Sequence, residues 1–128
     1  LGVCIGMQML ANNSLEHGKL QGFGWIEGNV VPISSNQEPL KIPHMGWNEL
    51  NIKQDHPIFT NIQSGDHAYF VHSFHFQCQE QSDIIATVDY GVPLVATIAK
   101  DNIIGTQFHP EKSQKTGLTL IKNFLSKL

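Results

Sequence analysis

Leu1-Gly2-Val3-Cys4-Ile5-Gly6-Met7-Gln8 is the stretch that decides how this chain is read. A cysteine stands with one spacer and then a glycine on each side, ahead of a segment, Gly6 to Asn13, in which Met7, Leu10 and Ala11 form a helical apolar stripe. This is the form of a nucleophile elbow, a tight strand-to-helix turn that thrusts one side chain outward and tolerates little but glycine nearby. It puts the Cys4 thiol at a helix N-terminus, where unpaired N–H groups favour a thiolate, and makes the Ile5 amide an oxyanion donor. A buried, inert cysteine fits the same residues taken alone.

Gly105-Thr106-Gln107-Phe108-His109-Pro110-Glu111-Lys112-Ser113 is the second informative stretch. Pro110 biases His109 toward extended backbone, where positions two apart project to one side. An imidazole and a carboxylate would then share a face, as a base and its orienting partner do. Taken alone, the segment also reads as a solvated loop. Together with the elbow it gives a candidate Cys4, His109, Glu111 triad.

Residues 1–8, LGVCIGMQ, and 106–113, TQFHPEKS, resemble the class I glutamine amidotransferases. Within that family, PHMGWN at 43–48 and VHSF at 71–74 resemble the glutaminase subunits of imidazole glycerol phosphate synthases. The resemblance implies an α/β, flavodoxin-like fold with a mainly parallel central sheet. It implies hydrolysis of L-glutamine to glutamate and ammonia through a thioester on Cys4, without a cofactor, in service of histidine biosynthesis. Gln8, Glu16 and the His72-Ser73-Phe74 segment would bind the substrate, Glu16 its amino group and the segment its carboxylate. The partner implied is a cyclase subunit with a (β/α)8 barrel, joined as a heterodimer, with Met45, Trp47, Asn48 and Lys112 at the interface. Family members carry a substantial segment ahead of the elbow. Residues 1–128 are therefore expected to be the C-terminal part of one amidotransferase domain, the second oxyanion donor lying before them.

Composition narrows the alternatives. Hydrophobic residues make up 41% of the chain, which suits a globular core, and no apolar run approaches the ~18 residues of a membrane helix. The net charge is −3, and all eight cationic residues are lysines. Bidentate guanidinium recognition of anions is therefore absent, and no basic face with interleaved aromatics suggests nucleic acid. Two cysteines, Cys4 and Cys78, make no disulfide framework, and a reactive thiol fits the reducing cytoplasm. His72 and His75 invite a metal reading, but three-residue spacing on a strand turns the rings to opposite faces, and no CxxC or HExxH pattern accompanies them.

Elsewhere, Trp25-Ile26, Val30-Val31, Ala68 to Phe76, Ile84 to Val88, Leu94 to Ala99 and Asn102 to Gln107 read as strands, the last two as a hairpin. Ile58, Phe59 and Ile62 suggest a short helical turn. A helix after Ser113 would bury Leu118, Ile121, Phe124, Leu125 and Leu128. Three other functions fit parts of the pattern. One is a paralogous amidotransferase serving a nucleotide-sugar or surface-polysaccharide aminating partner, and another is a non-catalytic binding subunit. A papain-like hydrolase, the third, would carry its cysteine on a long helix and its acid far from the histidine.

Overall fold

A computed structural model describes residues 1–37 and 39–128. In chain order its elements are β1 (Gly2–Val3), α1 (Ile5–Gln8), β2 (Asn13–Ser14), β3 (Leu20–Gln21), β4 (Gly28–Pro32), β5 (His44–Ile52), β6 (His67–His72), β7 (Phe74–Cys78), β8 (Ile84–Asp89), β9 (Pro93–Lys100), β10 (Ile103–Thr106) and α2 (Gln114–Lys127). Among the described residues ten strands form two sheets, one of six in the order β1-β10-β9-β8-β5-β6 and one of four in the order β3-β2-β4-β7.

The sheets are mainly antiparallel, which corrects the expectation of a mainly parallel one within this chain. Parallel pairing occurs between β1 and β10 and between β2 and β4. Connection length explains this. The β8–β9 and β9–β10 links are short turns, and a short turn can only reverse the chain, whereas parallel neighbours need a long crossover. The β1–β10 pair, joined through nearly the entire sequence, meets that requirement.

Three other expectations change. The run from Ala68 to Phe76 is two strands, because the chain bends at Ser73 and passes from the sheet containing β5 to the one containing β4. At that bend the Ser73 carbonyl accepts the Ile33 N–H at 3.0 Å. Trp25-Ile26 is not a strand; Trp25 stacks on Phe23 at 4.9 Å and stays exposed, while Ile26 is buried. And α1 ends at Gln8 instead of running on to Asn13. The last two share a cause: the carbonyls of Met9, Leu10, Ala11 and Asn12 accept the N–H groups of Phe23, Ile26, Gly24 and Gly22 at 2.8–3.1 Å. Backbone already paired across to another segment cannot continue a helix.

Helix α2 forms where expected but buries a different face. Gly117, Leu120 and Asn123 point inward with Phe124 packed beside them, while Leu118 and Leu125 are exposed. Two features outside hydrophobic periodicity set this rotation. Gly117 lies so close to the Pro110 backbone that a Cβ would sit 1.7 Å from its carbonyl oxygen. Asn123 donates to the carbonyls of Ile58 and Thr60, at 2.9 and 2.8 Å, which end the short turn at Pro57–Phe59.

Two apolar clusters result among the described residues. One joins Leu50, Phe70, Val88, Ile104, Phe108 and Leu120; the other joins Met7, Ile26, Val30, Phe76 and Ile98 behind the elbow. No helix of the described residues is long and apolar enough to cross a membrane.

Candidate active site

The elbow follows from its pairing with β10. Gly2 and Val3 align with Gly105 and Thr106, and the Cys4 N–H donates to the Thr106 carbonyl at 2.7 Å. The chain then turns so sharply that Cys4 adopts φ 54°, ψ −108°, a conformation that a residue with a side chain holds only under constraint. The glycines differ in what they permit. A Cβ on Gly2 would lie 2.6 Å from the Gly6 carbonyl oxygen, whereas one on Gly6 meets nothing within 4 Å. Crowding therefore requires glycine before the cysteine and, within this chain, not after it.

His109 follows three residues behind Thr106. Its backbone is extended, as the following proline dictates, and its N–H donates to the Tyr69 carbonyl at 3.0 Å. The Ser113 hydroxyl donates to the His109 carbonyl at 2.7 Å and accepts the Tyr69 N–H at 2.9 Å, clamping the segment to β6. Pro110–Lys112 forms a single turn that brings the Glu111 carboxylate back to the ring, Oε2 to Nδ1 at 3.1 Å. The sulfur of Cys4 lies 3.9 Å from the carbonyl oxygen of Val71, two positions along β6 from Tyr69. Elbow and histidine segment thus leave adjacent strands and border the same run of β6.

The thiol does not match the expectation of a stabilised thiolate. Burial pushes its pKa up, the neighbouring Ile5 amide opposes that, the charges of Glu111 and Glu16 add to it, and a hydrogen bond from Gln107 opposes it again. A helix of four residues supplies little of the N-terminal field expected from a longer one. Burial thus favours the neutral thiol at Cys4.

Ile5, Gln8 and Glu16 line one cleft of about 310 Å³, together with Ser14, His17 and Leu20. The His72-Ser73-Phe74 segment is not in its wall. The His72 ring is buried, with Nε2 at 2.9 Å from His44 Nδ1 and Nδ1 at 2.9 Å from the Phe74 carbonyl oxygen. That same carbonyl accepts Gln8 Nε2 at 3.0 Å. The His72 side chain is thus committed inside the protein, while Ser73 and Phe74 are half-buried. Among the described residues no group of three His, Cys, Asp or Glu side chains could hold a metal ion.

Met45 and Trp47 alternate outward along β5 and are exposed, and Trp47 meets Tyr69 edge-on at 5.9 Å. The Lys112 ammonium lies 6.0 Å from the centre of the same Tyr69 ring. Asn48 differs from that group. Strand alternation turns it to the His44 side, where its amide lies 3.2 Å from His44 Nε2 and donates to the Asp89 carbonyl at 2.9 Å. Reasoning from sequence passed over Gln107, fully buried between Gln8 and the sulfur. The signal that could have found it was an amide two residues ahead of His109, just past the end of β10.

Comparison with known proteins agrees with this architecture. The family model described as glutamine amidotransferase class-I matches residues 1–128. The imidazole glycerol phosphate synthase subunit HisH of Cereibacter sphaeroides is 56% identical over 126 residues, covering 98% of this chain and 59% of its own length. HisH of Azospirillum brasilense is 51% identical over 121 residues, covering 94% of this chain and 63% of its own length. The chain thus spans about three-fifths of the length of these relatives. Among solved structures, a glutamine amidotransferase of Thermotoga maritima superposes with a TM-score of 0.62 at 17% identity, over 99% of this chain and 46% of its own, which supports the fold. Elbow, histidine segment, architecture and family match agree: the chain belongs to the class-I glutamine amidotransferases.

Proposed function

We propose that this chain carries the catalytic residues of a glutaminase that delivers ammonia to a cyclase partner with a (β/α)8 barrel, forming imidazole glycerol phosphate in cytoplasmic histidine biosynthesis. The observation that carries this reading is the strained Cys4, bonded to Thr106 at one strand end, with His109 just beyond the neighbouring strand and braced by Glu111 at 3.1 Å. Glu111 accepts a hydrogen bond from Nδ1–H and leaves Nε2 free to act as base. Because burial holds Cys4 as a thiol, attack begins with proton transfer to His109. The sulfur adds to the carboxamide carbon of glutamine, the oxyanion rests on the Ile5 amide and a second donor, and the imidazolium returns its proton to the departing ammonia. Water activated by the same imidazole then cleaves the thioester to glutamate.

Gln8 and Glu16, sharing the cleft beside Ile5, would engage the glutamine backbone. The partner assignment is supported by the relatives named as subunits of that synthase and by the exposed Met45, Trp47 and Lys112 on the histidine side of the molecule. The test is glutamate release from glutamine by the intact protein, with and without a cyclase subunit. Activity that rises with the partner and falls by at least about a thousandfold in Cys4→Ser is expected, since members of a triad act as a unit. Turnover surviving that substitution would overturn the assignment.

A further inference from the structure

Gln107 is fully buried at the junction of β10 and the histidine segment, and its side-chain amide touches two groups. Oε1 lies 3.1 Å from Gln8 Nε2, and Nε2 lies 3.8 Å from Cys4 Sγ. The two ends of a side-chain amide look alike by shape, so which end faces the sulfur must be argued from hydrogen-bond chemistry. The chain of contacts leaves a single solution. The Phe74 carbonyl can only accept, so the Gln8 atom 3.0 Å from it must be the amide nitrogen. Gln8 Nε2 has a second hydrogen directed at Gln107, which must therefore answer with its oxygen. The nitrogen of Gln107 is left facing the sulfur. His72 reinforces the anchor from the other side, with Nδ1 2.9 Å from the same Phe74 oxygen.

We propose that Gln107 is a catalytic residue whose Nε2–H donates to the Cys4 sulfur and selectively stabilises the thiolate, with its orientation fixed by Gln8 and ultimately by the Phe74 carbonyl. The sulfur sits between this donor and an acceptor, the Val71 carbonyl at 3.9 Å. In the thiol form the Val71 carbonyl is within reach as an acceptor for the S–H. Once the proton has gone, that oxygen repels the sulfur and the Gln107 amide attracts it. A buried donor of this kind offsets part of the desolvation that otherwise holds the thiol protonated, and its effect is greatest in the state that attacks. Gln8 then acts on the nucleophile as a positioning residue, in addition to lining the cleft. The use of this thiolate in glutamine hydrolysis rests on the glutaminase reading, but the hydrogen bond itself does not, and the test separates them.

The experiment is the pH dependence of Cys4 alkylation by iodoacetamide in the intact protein, in a Cys78→Ser background so that one thiol reports. At 3.8 Å the contact belongs at the weak end of hydrogen bonds to charged groups, corresponding to about a tenfold change in thiolate population, or about one pH unit in the alkylation midpoint. Gln107→Met should raise the midpoint by that amount, and Gln107→Glu, which replaces the donor with a negative charge, by more. Gln8→Met, which frees the Gln107 amide to turn, should give a smaller shift of the same sign. A merely structural role would lower the melting temperature and leave the midpoint unmoved. If the variants fail to fold, the wild type still decides. The Gln107 side-chain amide proton resonances should titrate with the Cys4 midpoint and stop doing so in Cys4→Ser. Unshifted midpoints in folded variants, or Gln107 resonances indifferent to Cys4 ionisation, would overturn the proposal whether or not the protein releases glutamate.

Discussion

The imidazoles of His44 and His72 meet with Nδ1 of the first 2.9 Å from Nε2 of the second. Their tautomers follow from the flanking groups. His72 Nδ1 must donate to the Phe74 carbonyl, so its Nε2 accepts from His44 Nδ1–H, and His44 Nε2 in turn accepts from the Asn48 amide. Every ring nitrogen is committed in the neutral state, and a proton added to either ring sets donor against donor.

Acid should therefore weaken the fold through this pair. Burial and the neighbouring ring push His44 from the ordinary 6.5 down to about 4, and burial also lowers His72. The unfolded chain takes up these protons first, so the pair's contribution is complete above pH ~6.5 and is lost progressively as pH falls toward about 4. Between pH 7 and pH 5 the loss is on the order of 2 kcal/mol. Urea midpoints measured from pH 7 to pH 5, above most carboxylate titration, should fall in the wild type and fall less steeply in His44→Gln, where His56, His72 and His75, also lowered by burial, still titrate. A wild-type midpoint independent of pH across that interval would contradict the pairing.

Gly117→Ala should be among the most damaging single substitutions. The added carbon would lie 1.7 Å from the Pro110 oxygen, a backbone atom that cannot swing aside, so the helix or the histidine segment must move. A loss of about 3 kcal/mol or more is expected, together with reduced Cys4 alkylation as His109 shifts. Thermal melting would show it, and a melting temperature within a degree or so of wild type would mean that α2 does not pack on Pro110 this closely.

Two buried polar side chains should respond in opposite ways. Asn123→Leu strands the carbonyls of Ile58 and Thr60 and should cost about 1–3 kcal/mol despite its greater apolarity. Thr97, also fully buried, has a hydroxyl without a hydrogen-bond partner among the described residues. Thr97→Val should be neutral or stabilising by up to about 1 kcal/mol. Denaturant titration of the two variants beside wild type checks both signs.

Local chemistry was the most legible part of the sequence. Cys4 flanked by glycine, and His109 fixed by Pro110 with Glu111 two residues on, depend on neighbours in the chain, and the geometry around each follows from them. The β9–β10 hairpin was legible for the same reason. What sequence did not yield depends on residues far apart. The break at Ser73 arises because β6 and β7 find partners in different sheets, and nothing between Ala68 and Phe76 announces it. The buried face of α2 is set by a glycine against a carbonyl and by an asparagine serving two others, whereas an apolar tally counts both as outward. Cys4 read as a thiolate because it stands at a helix N-terminus; that helix has only four residues, and burial of the thiol outweighs its pull and raises the pKa instead. Gln107 escaped notice because its partners, Gln8 and Cys4, lie at the opposite end of the chain.

In the proposed reaction the Cys4 sulfur is the nucleophile and the His109 imidazole its base. Labelling the intact protein with a glutamine-analogue chloroketone, followed by peptide mapping, tests it most directly. Label should appear on Cys4 and not on Cys78, whose thiol burial pushes up to about 11. The rate should fall by about a hundredfold or more in His109→Asn. Label on Cys78, or Cys4 labelling that proceeds equally fast without the imidazole, would contradict the account.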